Sequence, residues 1–183
     1  GTVLLATTTH IMSPNWCPFA ATAAELRAGF THSPVVCAGS YTPEGKLTAP
    51  DFPGWQYAAD FVLVEADGSK RLPAKAHAAW EPVLPPERNR TVCVFGASAL
   101  GQPIQDAAHR PELYASLAEV SPEAVITPAI AARVLAKEGN FDILFINQAD
   151  VLEDPVAALQ PLVYTLPCPV IYGALAEGYW AKL

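Results

Sequence analysis

The sequence predicts an α/β protein in three layers, with a mostly parallel sheet between helices. Six short runs rich in Val, Ile, Leu or Phe alternate along the chain with stretches of helical character. These runs lack polar alternation, which is typical of strands buried on both faces of a parallel sheet. The alternation of such strands with helices is what favours an α/β domain.

The predicted elements follow in chain order. Strands are expected over residues 3–6, 35–38, 60–64, 91–95, 141–146 and 169–172. Helices are expected over residues 21–28, 106–117, 128–138 and 155–166. Thr127 and Pro128 suit the N-cap and first position of the third helix, and Gly139 suits its C-terminal stop.

Length and composition indicate one globular domain spanning residues 1–183. The net charge of −7 argues against binding to nucleic acid or to an anionic membrane surface. No apolar run approaches the ~20 residues that span a bilayer. The four cysteines are widely spaced, which favours reduced thiols in a cytoplasmic protein over a zinc site or a disulfide framework.

Residues 69–90 form a Pro-rich basic loop, which we interpret as an insertion. Its prolines are Pro73, Pro82, Pro85 and Pro86, and the basic residues clustered at its front are Lys70, Arg71 and Lys75. The loop leaves the C-terminal end of a predicted strand, and open parallel sheets bind ligands at that edge. Long loops at such a place are more often functional than idle.

The fifth predicted strand ends in Asn147-Gln148-Ala149-Asp150, which is similar to the Asn-Lys-x-Asp guanine-specificity motif of GTP-binding proteins. The Asp150 carboxylate can accept hydrogen bonds from N1–H and the exocyclic amine of guanine, whereas adenine presents the reverse pattern. Asn147 would brace the loop, and Gln148 departs from the usual Lys. The alternative is that Asn147 and Asp150 merely cap the turn and the next helix.

The next predicted strand ends in Gly173-Ala174. In GTP-binding folds, the corresponding loop of small residues contacts O6 of the base through a backbone N–H. The order of the two motifs on consecutive strands supports the guanine hypothesis, although small residues after a strand are common.

The third predicted strand delivers Glu65 and Asp67 to its C-terminal end, followed by Gly68, Lys70 and Arg71. Carboxylates in this place commonly hold Mg²⁺, directly or through water. Gly68 would let the backbone approach a phosphate, and the basic pair would neutralise phosphate oxygens. The alternative is an acidic turn followed by a solvated basic patch.

The first predicted strand runs directly into Thr7-Thr8-Thr9-His10. Hydroxyls such as those of Thr8 and Thr9 can contact phosphate or Mg²⁺-bound water, and His10 could act as an acid or base near neutral pH. A polar strand end with a structural histidine is an equally good interpretation.

Several catalytic motifs are absent from residues 1–183. There is no GxGxxG, GxSxG or HExxH, and no GxxxxGK(S/T) phosphate-cradling loop.

The motifs together resemble the YqeC family of selenium-dependent hydroxylase accessory proteins, from Thr2 to about Gly173. The segments that carry the resemblance are residues 7–11, 62–76, 81–83, 109–112, 126–128 and 147–150, with residues 65–73 the most specific. The resemblance implies a P-loop NTPase-like fold and a role in maturation of molybdenum hydroxylases. It also implies that the N-terminal P-loop strand and helix are missing from this chain. Without that central strand, the sheet would have a gap and a long unpaired edge.

These observations lead to the hypothesis of a cytoplasmic GTP-binding accessory protein that uses GTP, or another nucleoside triphosphate, and Mg²⁺. Asn147 and Asp150 would bind guanine, Glu65 and Asp67 would place Mg²⁺ or an activated water, and the three basic residues at the front of the 69–90 loop would contact phosphate. Its partner would be a molybdenum hydroxylase client or another maturation factor. Hydrolysis is doubtful without a P-loop, because charge stabilisation at the phosphates is most of the catalysis.

Two alternatives stay open. The first is a nucleotide-free module that binds the client or a molybdopterin-type cofactor through the acidic pair and the basic cluster. The second is a transferase acting on a small phosphorylated metabolite, with His10 as the base.

Overall fold

The computed structural model describes all 183 residues, and they form two compact units. Unit 1 comprises Gly1–Gly68 and Glu81–Glu87, and unit 2 comprises Ser69–Trp80 and Arg88–Leu183. The predicted 69–90 loop is therefore divided, since its first part belongs to unit 2 and its middle to unit 1. Sequence pattern alone did not indicate this division.

Unit 1 contains one parallel sheet and one α-helix. Its elements are β1 (Val3–Thr7), β2 (Phe19–Ala20), α1 (Ala23–Phe30), β3 (Val35–Ala38), β4 (Ser40–Tyr41), β5 (Leu47–Thr48) and β6 (Phe61–Glu65). The sheet has the order β2-β3-β1-β6 with every pair parallel, and β4 and β5 form a small antiparallel pair.

Helix α1 begins at a capping box and packs on one face of this sheet. The Thr22 hydroxyl accepts from the backbone N–H of Glu25, and the Glu25 carboxylate accepts from the backbone N–H of Thr22. Leu26 is buried from the helix side, and it lies in one core with Leu4 and Val36 of the sheet. Burial of these aliphatic side chains is the main source of stability in the unit.

Unit 2 contains a second four-stranded sheet and four helices. Its strands are β7 (Ala74–Lys75), β8 (Val92–Gly96), β9 (Ala108–His109), β10 (Ile143–Asn147), β11 (Val170–Ala174) and β12 (Tyr179–Lys182). Its helices are α2 (Ile104–Ala107), α3 (Pro111–Ala118), α4 (Pro128–Glu138) and α5 (Pro155–Thr165). The sheet has the order β12-β11-β10-β8, in which only β12 is antiparallel, and β7 pairs separately with β9.

The helices of unit 2 share a core with one face of its sheet. Leu144 and Ile146 of β10 are fully buried in this core, together with Leu159 of α5. Helix α4 has the predicted bounds, because Thr127 caps its first turn and Gly139 ends it in the left-handed region at φ 60°.

The predicted helix over residues 106–117 is wrong. In its place α2 ends at Ala107, β9 follows, and α3 starts at Pro111. Pro111 disfavours the helical conformation for the residue before it and has no N–H to continue a helix. Arg110 accordingly adopts a left-handed conformation, with φ 63°, and breaks the helical pattern.

The α/β class with mostly parallel sheets is confirmed, and it is compatible with a three-layer arrangement. The two four-stranded sheets are separate sheets, and β6 is an edge strand of the first and β8 of the second. Apolar side chains on both edges are exposed, namely Phe61 and Leu63 on β6 and Val92 and Val94 on β8. The P-loop NTPase-like assignment stays a prediction.

The longest helices have 11 residues, so none of them could cross a lipid bilayer.

Candidate functional site

The ends of β1 and β6 bring a carboxylate and two hydroxyls together in unit 1. Thr7 pairs in register with Glu65, and the Thr7 hydroxyl donates to Oε2 of Glu65 at 2.8 Å. The Thr9 hydroxyl donates to the same oxygen, and the Thr9 backbone N–H donates to Oγ1 of Thr7 at 2.9 Å. Thr7 is fully buried. One carboxylate oxygen of Glu65 is therefore committed to structural hydrogen bonds.

The other candidates at this edge are more dispersed. Thr8 donates through its hydroxyl to the carbonyl of Val83 at 2.6 Å, so it holds the 81–87 segment against the strand ends. Asp67 is partly buried, and Gly68 and His10 are exposed. Gly68 does not adopt a positive φ.

The donor set at this edge is only partly suited to Mg²⁺. Carboxylate and hydroxyl oxygens are the hard ligands that Mg²⁺ prefers, but no three His, Cys, Asp or Glu side chains in the structure converge into a metal-binding group. Glu65 and Asp67 could therefore hold the ion only together with water and ligand phosphates. Their assignment as metal or catalytic residues stays a prediction.

In unit 2, the end of β10 is tied to the end of β11. Oδ1 of Asn147 accepts a hydrogen bond from the backbone N–H of Leu175 at 3.1 Å. Because this bond identifies the oxygen of the side-chain amide, the Asn147 NH₂ group remains as a donor. Asn147 therefore braces the 147–150 loop against the residue that follows β11.

The other side chains of the 147–150 loop have different surroundings. Gln148 has φ 62°, and its Oε1 accepts from the Ser98 hydroxyl at 2.7 Å. Asp150 lies in the short 3-10 turn Ala149–Val151, and its side chain is exposed while Ala149 is buried. The loop thus presents an exposed carboxylate shortly after two residues, Asn147 and Gln148, whose side chains are held by hydrogen bonds.

Gly173 and Ala174 are both buried at the end of β11. A Cβ on Gly173 would clash with the carbonyl of Tyr179 and with Trp180 of β12, so the close approach of β12 requires a glycine here. The predicted contact of these two residues with a base stays untested, and Leu175 is the residue whose N–H meets the 147–150 loop.

The first part of the 69–90 loop, Ser69–Trp80, forms a basic strap on unit 2. It starts with the 69–72 turn, closed by the Leu72 N–H donating to the Ser69 carbonyl at 3.0 Å. The central residues Lys70 and Arg71 have φ 53° and 65°, as in hairpin turns that usually hold Asn or Gly. Two exposed basic side chains thus occupy a conformation that costs L-residues roughly 1–2 kcal/mol each. Lys75 lies further along, in β7.

Sequence reasoning missed the residues that connect these segments. Gly96 donates its N–H to the Pro73 carbonyl at 2.7 Å, and it lies opposite Asn147 in the sheet register. Ser98 follows two residues later and holds Gln148. A glycine directly after the strand predicted over 91–95 was the available signal, but its neighbours in space are more than 20 residues away in the chain.

The family profile for the YqeC protein matches residues 1–112, more than half of the chain. The chain belongs to the YqeC family. One relative is the uncharacterized protein YqeC of Escherichia coli (strain K12). The two sequences are 30% identical over an alignment 183 residues long, which covers 87% of this chain and 72% of the relative. No solved structure matches the chain. The YqeC match includes the acidic and basic residues 65–75, while the 147–150 loop lies outside it.

Proposed function

We propose that this YqeC protein is a GTP-binding accessory protein that acts, with Mg²⁺, in the maturation of a selenium-dependent molybdenum hydroxylase in the cytoplasm. The observation that supports GTP binding is the hydrogen bond from Leu175 to Asn147. It fixes the 147–150 loop at the C-terminal edge of a parallel sheet, where α/β proteins bind ligands. The link to molybdenum hydroxylases rests on the family resemblance.

The polarity of the loop suits guanine. The Asp150 carboxylate offers two acceptors for the N1–H and the exocyclic amine, and the Asn147 NH₂ group can donate to a ring nitrogen. Adenine would place an acceptor against the Asp150 carboxylate, which costs binding energy because neither group then has a partner.

The anionic part of the ligand is assigned to the basic strap. Lys70 and Arg71 are exposed at the tip of the 69–72 turn, and both charges can pair with phosphate oxygens. Residues 1–183 contain no GxxxxGK(S/T) loop, so the proposal is binding of the nucleotide, and hydrolysis is not part of it. Glu65 and Asp67, in unit 1, are proposed to meet Mg²⁺ through water, and the contacts proposed for the nucleotide all belong to unit 2.

The test uses a swap of base preference. In Asp150→Asn, the side-chain amide retains an acceptor for N1–H and gains a donor that matches the C2 carbonyl of xanthine. We expect calorimetry to show GTP binding by the native protein with little ATP binding, and a preference of Asp150→Asn for XTP over GTP. Asp106→Asn is a matched control, because Asp106 is exposed and lies in α2. Equal binding of GTP and ATP by the native protein, or none of either, would refute the proposal.

A nucleotide-free module is the second candidate, because the exposed Lys70 and Arg71 could bind any anionic group, including a molybdopterin-type cofactor or an acidic client surface. The double variant Lys70→Asn/Arg71→Gly removes both charges and places in the turn the residue types that it favours. Loss of pyrophosphate binding in this variant, with no effect of Asp150→Asn on any ligand, would favour the second candidate.

A further inference from the structure

Gly96, the last residue of β8, is packed closely from two directions. A Cβ on Gly96 would lie 2.7 Å from Cβ of Pro73 and 2.6 Å from Oε1 of Gln148. The Cα of Pro73 would be 3.1 Å away, so the backbone of the strap is involved as well as side chains. These distances are shorter than packed side chains tolerate, so any other residue requires a shift of its neighbours.

The two neighbours of Gly96 belong to the two segments that the proposed function assigns to the ligand. Pro73 directly follows the 69–72 turn, which carries Lys70 and Arg71. Gln148 lies inside the 147–150 loop, where the Ser98 hydroxyl holds it at 2.7 Å. Gly96 therefore lies against both the segment assigned to the phosphates and the segment assigned to the base.

The strap beyond Pro73 is pinned to unit 2. The Ala76 N–H donates to the His109 carbonyl at 3.2 Å, and β7 pairs with β9. His77 contacts the Glu138 carboxylate twice, through its backbone N–H at 2.7 Å and through Nδ1 at 2.8 Å. A displacement of Pro73 therefore cannot be absorbed on that side and passes to the 69–72 turn.

We propose that Gly96 is a positioning residue that holds the 69–72 turn and the 147–150 loop at the separation that one guanine nucleotide requires. This inference rests on the proposed function and adds that both halves of the ligand site belong to unit 2. A ligand with a base and a phosphate chain gains from both contacts only when their spacing is fixed. A nucleoside alone or a phosphate chain alone makes only one of the two contacts, so its binding does not depend on the spacing.

The test compares Gly96→Ala with the native protein for three probes: guanosine, tripolyphosphate and GTP. We expect Gly96→Ala to bind guanosine and tripolyphosphate within about two-fold of native and GTP about ten-fold or more weakly, since only the linked ligand depends on the spacing. Equal weakening of all three probes in a folded Gly96→Ala protein would overturn the inference. Unchanged GTP affinity would overturn it as well.

Two further variants complete the experiment. Gly29→Ala is the matched control, because its new Cβ would meet only side-chain atoms of Val36, at 3.0 Å, in unit 1. If Gly96→Ala does not fold, Pro73→Gly replaces it, since this change removes the Pro73 side chain beside Gly96 without adding an atom and leaves the backbone hydrogen bond between the two residues in place. Pro73→Gly should also weaken GTP selectively, and an equal loss for all three probes would contradict the role of Gly96. A native protein that binds neither guanosine nor GTP would instead refute the proposed function.

Discussion

Replacement of Glu65 tests whether the carboxylate at the end of β6 is mainly structural. Oε2 of Glu65 accepts from the hydroxyls of Thr7 and Thr9, and Thr7 is fully buried. Hydrogen bonds to charged groups contribute about 1.5–3 kcal/mol each, and the Thr7 hydroxyl keeps the Glu65 backbone carbonyl as an acceptor at 2.9 Å. We therefore expect Glu65→Ala to lower the free energy of unfolding of unit 1 by about 2–3 kcal/mol.

Urea unfolding followed by tryptophan fluorescence measures this loss. Trp55 is 7% exposed in the core of unit 1, whereas Trp16, Trp80 and Trp180 are 66–72% exposed, so the signal reports mainly on unit 1. The midpoint should fall by about 1–2 M urea in Glu65→Ala. Glu65→Gln retains an uncharged acceptor and should lose about half as much free energy.

The control for this experiment is Glu87→Ala, an exposed glutamate in the same unit that should change stability by less than about 0.5 kcal/mol. If Glu65→Ala were as stable as Glu87→Ala, the hydroxyl bonds would contribute nothing and the structural role would be refuted. Repeating the titration with MgCl₂ separates a second role, because bound metal would raise the midpoint of the native protein and leave that of Glu65→Ala unchanged.

Three other substitutions or reactions check further features. Tyr114→Phe should raise the free energy of unfolding by about 1 kcal/mol, because the buried Tyr114 hydroxyl has no hydrogen-bond partner. Tyr164→Phe, at an exposed site, is the control and should have no effect. A destabilised Tyr114→Phe would show that the Tyr114 hydroxyl does have a partner. Hydrogen bonds from Thr2 hold the pKa of Asp60 below its usual value. Asp60 therefore stabilises the fold fully above the unfolded pKa of about 3.9, and this advantage over Asp60→Asn should vanish as the pH falls through the lower folded pKa in acid-unfolding curves. Burial raises the pKa of Cys37 to about 11, so mass spectrometry should find its peptide alkylated last in the native protein, and early labelling would show that the core of unit 1 opens.

A helix or strand could be predicted accurately where the residues that start and end it lie within a few positions of its ends. Helix α4 has a cap, a first-position proline and a terminal glycine within its own sequence, and its bounds match the prediction. The helix predicted over 106–117 failed because the apolar pattern outweighed Pro111, whose effect on Arg110 is equally local. The strand predicted over 35–38 matches β3, and the other five predicted strands are off by one or two residues at an end, because strand ends depend on the partners that pair with them.

The candidate site was predictable only in part. Asn147, Asp150 and the basic pair stood out because each belongs to a short pattern with a chemical purpose. Gly96 did not, because its role comes from Pro73 and Gln148, which lie far from it in the chain and close to it in space.

The amino-acid sequence by itself determined the family, the α/β class and the residue types that follow each strand, since each of these can be recognised from short contiguous segments. The tertiary structure decided which segments meet: the Thr7 and Thr9 hydroxyls on Glu65, Leu175 on Asn147, and the strap on the end of β8. It also decided the division into two units. The physical reason is that contacts between residues 23 to 58 positions apart depend on how whole strands pack, and no local pattern encodes that packing.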